Sequence, residues 1–572
     1  MSRKFFCLVL HSHIPFVLNH GGWPHGSDWL YEASAESYLP LLRILERLAA
    51  EGISPRLNIS FTPVLMEQLK SQAFISGFKK YLRMKIDISL NDQLYFEKTA
   101  SPHLASLASF WEGFYQQLYE DFVFTWKEDI LTGFKRLQDE GLIEVMTSAA
   151  THAYLPLLSR ERSIRSQIDQ GKLCYYKHFG RPSKGFWLPE CAYRPRRLWQ
   201  HPFKGGPGVV RPGLDELLAE AGLKYFFVES HLLRGGEARG VYLDRFPALR
   251  RVWEGDRNGR EFMRPKGSLS VYLPYLSQPA GMAFFVRDPK SGQQVWSSKQ
   301  GYPGDGWYLE FHKKHFPGGL RYWRITESQT DLREKQPYSP QKAAERLEDH
   351  ASHFVRTLVD DLQGQNEAVV VSLYDTELFG HWWFEGPEWL YLVIKKLASS
   401  EVKLETASNC LDFLEPNFIV GLNEGSWGAG GFHWTWFNDD TAWVWEKIYQ
   451  LEEETEALSF DQVSRKERIW RQLAREKFLL ESSDWPFLIS TWTARDYAEN
   501  RAAEHYQRAK VLLKWLRRLE PLDEAEERRL EIWEKEDNLF AQFVVGPAGK
   551  VWEAVSPEIN ALEKAHHGQK KT

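Results

Sequence analysis

The segment GFWLPE, residues 185–190, decides the predicted fold together with AVVVSLYD, residues 368–375. Each segment is a short apolar run that stops at a carboxylate, Glu190 in the first and Asp375 in the second. Short runs rich in aromatic or β-branched residues are typical of buried strands. A parallel strand that ends in an acid directs that acid to the active face of a β/α barrel.

Other apolar runs, separated by helical stretches, indicate more strands of the same sheet. They are residues 5–10, 57–61, 143–147, 225–228 and 282–286. His11 and His13 follow the first of these runs, His152 follows the third, and Arg287 follows the last. Strands that alternate with helices predict a parallel α/β arrangement. Polar groups at so many strand ends favour a barrel over an open sheet, which collects its ligands at one switch point.

The composition limits the class of protein. A chain of 572 residues suggests two or three domains. Lys and Arg number 72 and Asp and Glu 77, a balance that argues against a nucleic-acid partner. The four cysteines show no C-x-x-C spacing, so neither a zinc knuckle nor a disulfide framework is indicated. The first apolar run meets His11 after six residues, and no run reaches the roughly 18 apolar residues of a membrane span. We therefore expect a cytoplasmic protein without a signal peptide.

The pattern along the chain predicts three regions. Residues 1–85 and 145–410 are expected to form the barrel. Residues 86–144 look helical and are too long for a loop, so we predict a helical insertion. Residues 411–560 are charged, rich in Leu and Trp, and spaced as helices, which predicts a helical C-terminal domain.

The two strand-end carboxylates suggest a specific chemistry. Two acids in opposite protonation states are the minimum equipment for cutting a glycosidic bond. An acid that stays protonated at neutral pH needs burial or a neighbouring negative charge. Glu377 and Glu385 compete with Asp375 for that role, because Glu377 would share a strand face with Asp375.

The histidines and a segment rich in Gly and Trp complete the candidate site. His11 and His13 alternate along a strand, so both imidazoles would face one cavity. We predict that they donate hydrogen bonds to substrate hydroxyls, with metal binding as the alternative, and His152 is expected to bind substrate as well. In residues 423–439, glycines would let the chain pass close to a ligand and tryptophans would offer flat faces. A phosphate-binding loop is the rival interpretation, but no Gly-Lys-Ser/Thr follows.

Five blocks of this sequence, taken in order, resemble the five conserved regions of glycoside hydrolase family 57. They are residues 11–15, 151–157, 187–190, 374–384 and 423–439. Within that family the chain is most similar to the 1,4-α-glucan branching enzymes. The stretches that carry this narrower resemblance are GFWLPECAY (185–193), RDP (287–289), QVWS (294–297), GYPGD (301–305) and SSDWPF (482–487).

The resemblance implies a fold and a set of roles. The fold is an incomplete seven-stranded (β/α) barrel with a helical insertion and an all-helical C-terminal domain. The mechanism is retaining and uses no metal or other cofactor. Glu190 is implied to be the nucleophile and Asp375 the general acid/base, with carboxyl groups roughly 5–5.5 Å apart. The other matching positions are expected to bind substrate: the groove residues Arg287, Gly304, Trp427 and Asp484, and the sugar-stacking residues Trp296 and Trp436.

The implied activity is cleavage of α-1,4-glucan with formation of α-1,6 branches, on amylose-like or glycogen-like chains, by a monomer. An α-amylase or 4-α-glucanotransferase of the same family is the first alternative. A non-catalytic glucan-binding protein and a metal-dependent hydrolase that uses His11 and His13 are more distant ones. Branching members are implied to shield the site with a mobile loop that has a tyrosine near its tip. The matching residues 230–242 contain glycines but no tyrosine before Tyr242, which favours the hydrolytic alternative.

Overall fold

The structure, a computed structural model, describes residues 3–234, 269–297, 299–327 and 329–540. Twelve strands lie in these ranges, ten of them in one sheet and two in a separate hairpin. In chain order they are β1 (Arg3–Ser12), β2 (Leu57–Phe61), β3 (Ile143–Ser148), β4 (Gly185–Trp187), β5 (Arg197–Trp199), β6 (Val209–Arg211), β7 (Tyr225–Val228), β8 (Tyr275–Ser277), β9 (Ala283–Val286), β10 (Glu367–Asp375), β11 (Lys403–Leu404) and β12 (Ile419–Val420).

The main sheet has the order β10-β1-β2-β3-β4-β7-β9-β8-β12, with β11 beside β1. Seven successive neighbours, from β10 to β9, run parallel, whereas β8 is antiparallel to β9. The backbone N–H of Asp288, just after β9, donates to the carbonyl of Val371 in β10 across 2.8 Å. The sheet therefore curls so that the two ends of its parallel part, β10 and β9, approach each other, which confirms the predicted α/β architecture.

Helices cover the sheet and form most of the chain after residue 441. Up to residue 413 they span Ser27–Ala33, Leu39–Ala50, Pro63–Leu69, Gln72–Lys98, Pro102–Glu120, Ile130–Asp139, Glu161–Phe179, Leu214–Glu220, Ser230–Arg234, Pro289–Trp296, Pro340–Asp361, Gly386–Ala398 and Ala407–Phe413. After that they span Ala442–Glu456, Phe460–Ser464, Glu467–Leu480, Asp484–Thr491, Arg495–Arg517 and Glu524–Glu536.

The region between β2 and β3 is helical, as its sequence indicated. Ser71 caps the first long helix by accepting a hydrogen bond from the N–H of Phe74 across 3.1 Å. That helix begins at Gln72, earlier than the predicted insertion boundary at residue 86. It pairs with the helix Pro102–Glu120, and Phe78 packs against Phe122 just beyond the end of that helix, with ring centroids 5.0 Å apart. The domain boundaries themselves stay predictions.

The helical C-terminal region shares a hydrophobic core with the sheet. Phe186 of β4 belongs to the same buried cluster as Leu473 and Leu512, which lie on two C-terminal helices. An isolated bridge between Ala153 and Ser482 fixes the C-terminal region against the loop after β3. This packing places residues 482–484 beside the carboxyl ends of the parallel strands.

Two further observations concern the chain as a whole. Among the residues that the structure describes, none of the helices combines the length and apolar character that a membrane span needs. All four cysteines are buried free thiols. Of the predicted shielding loop, residues 235–242 lie outside the described residues, as do residues 541–560 of the predicted C-terminal domain.

Candidate active site

Glu190 lies in a tight turn directly after β4. The turn, Pro189–Cys191, places Glu190 at φ +61°, in the left-handed region that residues with a side chain rarely adopt. Such backbone strain costs about 1–3 kcal/mol and clusters at functional sites. The N–H of Trp427 donates to the carbonyl of Glu190 across 3.1 Å, which helps to hold the strained turn.

The Glu190 carboxylate receives two hydrogen bonds from distant parts of the chain. The indole N–H of Trp427 donates to Oε2 across 2.8 Å. The hydroxyl of Ser483, from the C-terminal region, bonds to Oε1 across 3.0 Å. Because each donor satisfies a different oxygen, the carboxylate is fixed in orientation.

The protonation of Glu190 is finely balanced. Burial, together with the charges of Asp375 and Asp484, raises its pKa to about 7 against the opposing hydrogen bonds from Trp427 and Ser483. A carboxylate whose pKa is shifted this far by burial and by specific neighbours is a candidate functional group.

Asp375 is the last residue of β10, and its register partner on β1 is His11. Its charge acts on Glu190 directly. The competing acid Glu377 accepts hydrogen bonds from the Tyr38 hydroxyl and, across 3.0 Å, from the N–H of His13. Burial raises the pKa of Glu377 to about 7, so its environment resembles that of Glu190 while its hydrogen bonds tie it to the barrel wall.

Glu385, the other competitor, serves a different part of the fold. It immediately precedes the helix Gly386–Ala398 and accepts a hydrogen bond from the N–H of Leu309 across 2.9 Å. Burial raises its pKa to about 7, and the Tyr338 hydroxyl opposes the rise. Asp375, by contrast, is close enough for its charge to raise the pKa of Glu190.

Three imidazoles lie side by side next to Glu190. His11 and His152 approach through their Nε2 atoms across 3.0 Å, and the rings of His13 and His152 stack at 4.1 Å. His11 also stacks on Trp187 of β4 at 4.5 Å. Like Glu190, His152 has a left-handed backbone, at φ +56°. The structure thus brings the three predicted histidines together at one edge of the sheet.

Among the described residues, His13, His152 and Asp484 are the group at this site whose ligand atoms could hold a metal ion, all within 4.8 Å of one another. Each of these atoms already has a hydrogen-bond partner among the described residues. The Nε2 atom of His13 lies 2.9 Å from Oδ2 of Asp484, and both ring nitrogens of His152 are hydrogen bonded. Hydrogen bonding alone is sufficient to explain their proximity, and the absence of a metal stays a prediction.

Arg287 and Trp296 belong to the same site and lie beside Trp427. Arg287 forms an ion pair with Glu229 at the end of β7. Its guanidinium lies 5.8 Å from the ring of Trp296 and 5.9 Å from that of Trp427, within cation–π range. Trp296 donates its indole N–H to the carbonyl of Leu373 in β10 across 3.1 Å. These contacts connect Arg287 and Trp296 to β10, which carries Asp375, and through Trp427 to the turn after β4, which carries Glu190.

Two further predicted binding residues lie on other segments, and the binding role of Gly304 stays a prediction. Gly304 ends the turn Tyr302–Gly304, which attaches to the helix Pro340–Asp361 through a 2.7 Å hydrogen bond between Tyr302 and His353. Trp436 is completely buried and stacks on Tyr154 at 4.5 Å. A buried indole offers no face to a sugar, so the expectation that Trp436 stacks on substrate is corrected: it supports the segment that carries Trp427.

The glycines near Trp427 serve a close approach between protein segments. Tyr193 and Gly425 exchange two backbone hydrogen bonds of 2.8 and 3.0 Å. A Cβ atom on Gly425 would lie 2.3 Å from the carbonyl oxygen of Gly431, so no larger residue fits. The sequence predicts that these glycines let the chain pass close to a ligand. In the structure they let the segment that carries Trp427 lie close to the turn that carries Glu190.

Comparison with known proteins places this geometry in a family. Residues 7–421 match the model described as glycosyl hydrolase family 57. The chain belongs to this family. Residues 446–545 of the family 57 chain also match a second model, described as 1,4-alpha-glucan branching enzyme, C-terminal. The resemblance seen in the sequence is thereby confirmed.

Individual relatives of this family 57 chain are similar over nearly its whole length. A 1,4-alpha-glucan branching enzyme of Thermococcus kodakarensis is 41% identical over 561 residues, 95% of this chain and 78% of the relative. The crystal structure of a GH57-type branching enzyme from Pyrococcus horikoshii matches with a TM-score of 0.84 and 39% identity, covering 97% of each chain. The alpha-amylase AmyC from Thermotoga maritima matches with a TM-score of 0.75 and 30% identity, covering 94% of this chain and 98% of that chain.

Sequence reasoning missed two members of this family 57 site, Ser60 and Ser483. Ser60 is 2.7 Å from Nδ1 of His11, and Ser483 bonds to Glu190. Signals for both existed. Ser60 occupies an inward-facing position in a predicted strand, and Ser483 directly precedes Asp484 at the start of a helix, where serine is a favoured cap.

Proposed function

We propose that this family 57 chain is a 1,4-α-glucan branching enzyme that acts by retention, with Glu190 as nucleophile and Asp375 as general acid/base. One observation carries the proposal. A buried carboxylate, held by two donors and repelled by the charge of a second strand-end carboxylate, lies where seven parallel strands end. The similarity to branching enzymes, which includes the C-terminal region, supports the choice of substrate and product.

In the first half of the reaction, an oxygen of Glu190 attacks the anomeric carbon of an α-1,4-glucan. The bond from that carbon to O4 of the departing chain breaks, and Asp375 gives its proton to that O4. A covalent glycosyl ester forms on Glu190. The donors Trp427 and Ser483 fix the carboxylate, so little reorganisation is needed before attack.

In the second half, the ester is transferred to a second glucan chain. Esterification removes the charge of Glu190 and with it the repulsion between the two carboxylates, which favours ionised Asp375. Asp375 then takes the proton from a 6-hydroxyl of the acceptor, the new C1–O6 bond forms, and the bond to Glu190 breaks. An α-1,6 branch results, and Glu190 regains its negative charge.

The side chains around the two carboxylates are suited to binding a sugar chain. Trp296 and Trp427 provide aromatic surface, and Arg287 with Asp484 provides charged hydrogen-bonding groups. Aromatic faces pack on the apolar face of a sugar ring, while polar groups bind its hydroxyls. We propose that these four residues bind the glucan together with His13. A cytoplasmic location is part of the same proposal, and the four free thiols are consistent with it.

A mainly hydrolytic activity is the second candidate, favoured by the similarity to the alpha-amylase AmyC. The two activities share the glycosyl ester and differ only in whether water or a sugar hydroxyl takes its place. Amylose incubation separates them. Branching yields α-1,6 linkages, seen as new anomeric signals in proton NMR and as chains released by a debranching enzyme, without a matching rise in reducing ends. Reducing ends alone would overturn branching in favour of hydrolysis.

The catalytic assignment needs its own control. Glu190→Gln keeps the size of the side chain but removes the nucleophile, so neither branches nor reducing ends should form from amylose. Turnover equal to that of the unaltered chain would show that Glu190 is not the nucleophile. Loss of turnover together with retained binding of a maltooligosaccharide, measured by calorimetry, supports a chemical role over a structural one.

A further inference from the structure

A continuous chain of hydrogen bonds runs through the sheet interior to the nucleophile. Ser60 Oγ lies 2.7 Å from Nδ1 of His11, and Nε2 of His11 lies 3.0 Å from Nε2 of His152. Nδ1 of His152 lies 2.9 Å from Oγ of Ser483, which lies 3.0 Å from Oε1 of Glu190. Apart from Glu190, every member is at least 97% buried.

The ionised form of Glu190 sets one direction for the whole chain. An ionised carboxylate only accepts, so the Ser483 hydroxyl donates to it, and Ser483 in turn accepts from Nδ1–H of His152. Burial lowers the pKa of His11 and His152 well below the usual value, so both rings are neutral and each carries one proton. Nε2 of His152 is then bare and accepts from Nε2–H of His11, whose Nδ1 accepts from Ser60.

We propose that Ser483 holds Glu190 in its ionised form, and that His152, His11 and Ser60 are positioning residues that aim the Ser483 hydroxyl at Oε1. The inference rests on the proposed function, in which Glu190 is the nucleophile. It adds that the C-terminal region, through Ser483, supplies part of the machinery that sets the charge of a carboxylate in the barrel. These five residues are called the orienting chain.

The orienting chain works against the other charges at the site. The groups that face Glu190 come from four elements: Asp375 at the end of β10, His152 after β3, Trp427 in the glycine-containing segment, and Ser483 and Asp484 at the start of the helix Asp484–Thr491. Asp375 and Asp484 favour the neutral form of Glu190, whereas the donors Trp427 and Ser483 favour the ionised form. Because His11 and His152 are neutral, they orient the Ser483 hydroxyl without adding a charge to the site.

The orienting chain has its greatest effect when the glycosyl ester breaks. Negative charge then returns to Glu190, and a hydroxyl already directed at Oε1 stabilises that charge without reorganising. Ser483 is also anchored by its backbone, because its N–H donates to the carbonyl of His152 across 3.1 Å. Losing the Ser483 hydroxyl should therefore raise the pKa of Glu190 and slow release of the glycosyl group.

The test is the pH dependence of kcat on amylose, which reports groups in the substrate-bound enzyme. For Ser483→Ala we expect the acidic limb to move upward by about one pH unit, the effect of a lost hydrogen bond to a charged group. Ser483→Thr retains a hydroxyl and should restore the limb toward its original position. Ser490→Ala, which removes a buried hydroxyl from the same helix, is the matched control and should leave the limb in place.

His152 provides the second arm. His152→Gly suits the left-handed backbone and removes the ring, so the limb should move in the same direction as in Ser483→Ala. His152→Asn also suits that backbone, retains an amide donor near the position of Nδ1, and should shift the limb less. Because His152 acts through Ser483, the double variant Ser483→Ala/His152→Gly should shift no further than Ser483→Ala alone. Additive shifts would overturn the orienting role of His152.

Failure of this inference is distinct from failure of the proposed function. If Glu190→Gln is inactive but Ser483→Ala leaves the acidic limb unmoved, the orienting chain is wrong and the nucleophile stands. If Glu190→Gln keeps normal turnover, the proposed function fails first. Neutron diffraction of the full chain gives a readout independent of activity: deuterium on Nδ1 of His152 and Nε2 of His11 above pH 8 supports the direction, and the opposite tautomers overturn it.

Discussion

Trp427 holds Glu190 at two points: its indole N–H donates to Oε2 across 2.8 Å, and its backbone N–H donates to the Glu190 carbonyl across 3.1 Å. The same residue therefore fixes both the carboxylate and the strained turn that carries it. The side-chain bond favours the ionised carboxylate, whereas the backbone bond serves the turn in either protonation state. A change to the side chain alone separates these two contributions.

Trp427→Phe is the first test. Phenylalanine keeps a flat apolar ring and the backbone hydrogen bond but has no N–H for Oε2. A hydrogen bond to a charged group contributes about 1.5–3 kcal/mol, so kcat/KM on amylose should fall by roughly 10- to 150-fold. The acidic limb of the pH profile should also move upward, since a donor that lowers the pKa of Glu190 is lost.

Trp445→Phe is the control for this change, because Trp445 also donates a buried indole N–H, to the carbonyl of Trp436 across 2.7 Å. It should lower the free energy of unfolding by about 1 kcal/mol without moving the pH profile. An equal loss of activity in both variants would mean that the Trp427 hydrogen bond has no special part in the reaction.

The raised pKa of Glu190 predicts how stability depends on pH. The pKa is about 7 in the folded chain against an ordinary value of 4.5, so the folded state binds the extra proton between these values. The stability contributed by this group is therefore fully present below about pH 4.5 and is lost as pH rises through about 7. Glu190→Gln cannot ionise and so does not lose this stability. At pH 8 its free energy of unfolding should therefore be higher than that of the unaltered protein by on the order of 3 kcal/mol.

The measurement is chemical denaturation of both chains at pH 5 and pH 8. The advantage of Glu190→Gln should shrink strongly at pH 5, where the original chain is protonated at Glu190. Glu377 and Glu385 titrate in the same window, but they are present in both chains and cancel in the comparison. An advantage that does not change with pH would show that Glu190 keeps an ordinary pKa.

Chemical rescue tests the role of Asp375 against its competitor Glu377. A glycosyl fluoride needs no protonated leaving group, so Asp375→Ala should still form the ester on Glu190 from maltotriosyl fluoride. Azide, an anion that needs no general base, should then attack C1 of the ester, release the Glu190 carboxylate and yield the α-glycosyl azide, with net retention. Glu377→Ala has an intact acid/base and should give no such azide product. Rescue of Glu377→Ala in place of Asp375→Ala would transfer the role to Glu377.

Much of the sheet and both carboxylates could be read from local sequence. The run at residues 368–375 is apolar and β-branched, and it forms β10 (Glu367–Asp375) with Asp375 at its end. Glu190 was found in the same way, after the short strand β4. These features depend on neighbours within a few residues, which a periodic pattern records well.

The rest depended on tertiary packing that no local pattern records. Ser483 meets Glu190 only because the helix Asp484–Thr491 packs beside the loop after β3, 293 residues from its partner. Trp436 looked like its neighbour Trp427 in sequence, yet Tyr154 covers it. A tryptophan in a segment rich in glycine thus carries no mark of which side it faces. The sequence likewise does not show that Gly425 packs against another turn of the chain.

Gly428 shows how closely that segment is packed and gives the last prediction. A Cβ atom there would lie 2.4 Å from Cζ3 of the buried Trp436, and Gly428 directly follows Trp427, so we expect relief of this clash to shift Trp427. Gly428→Ala should therefore lower the free energy of unfolding by about 1–3 kcal/mol and reduce kcat on amylose. Gly113→Ala is the matched control: it lies in the helix Pro102–Glu120 with no atom within 4 Å of the new Cβ. It should stabilise the chain by up to about 1 kcal/mol and leave kcat unchanged. Equal behaviour of the two variants in thermal unfolding and in kcat would show that the position of Trp427 does not depend on this packing.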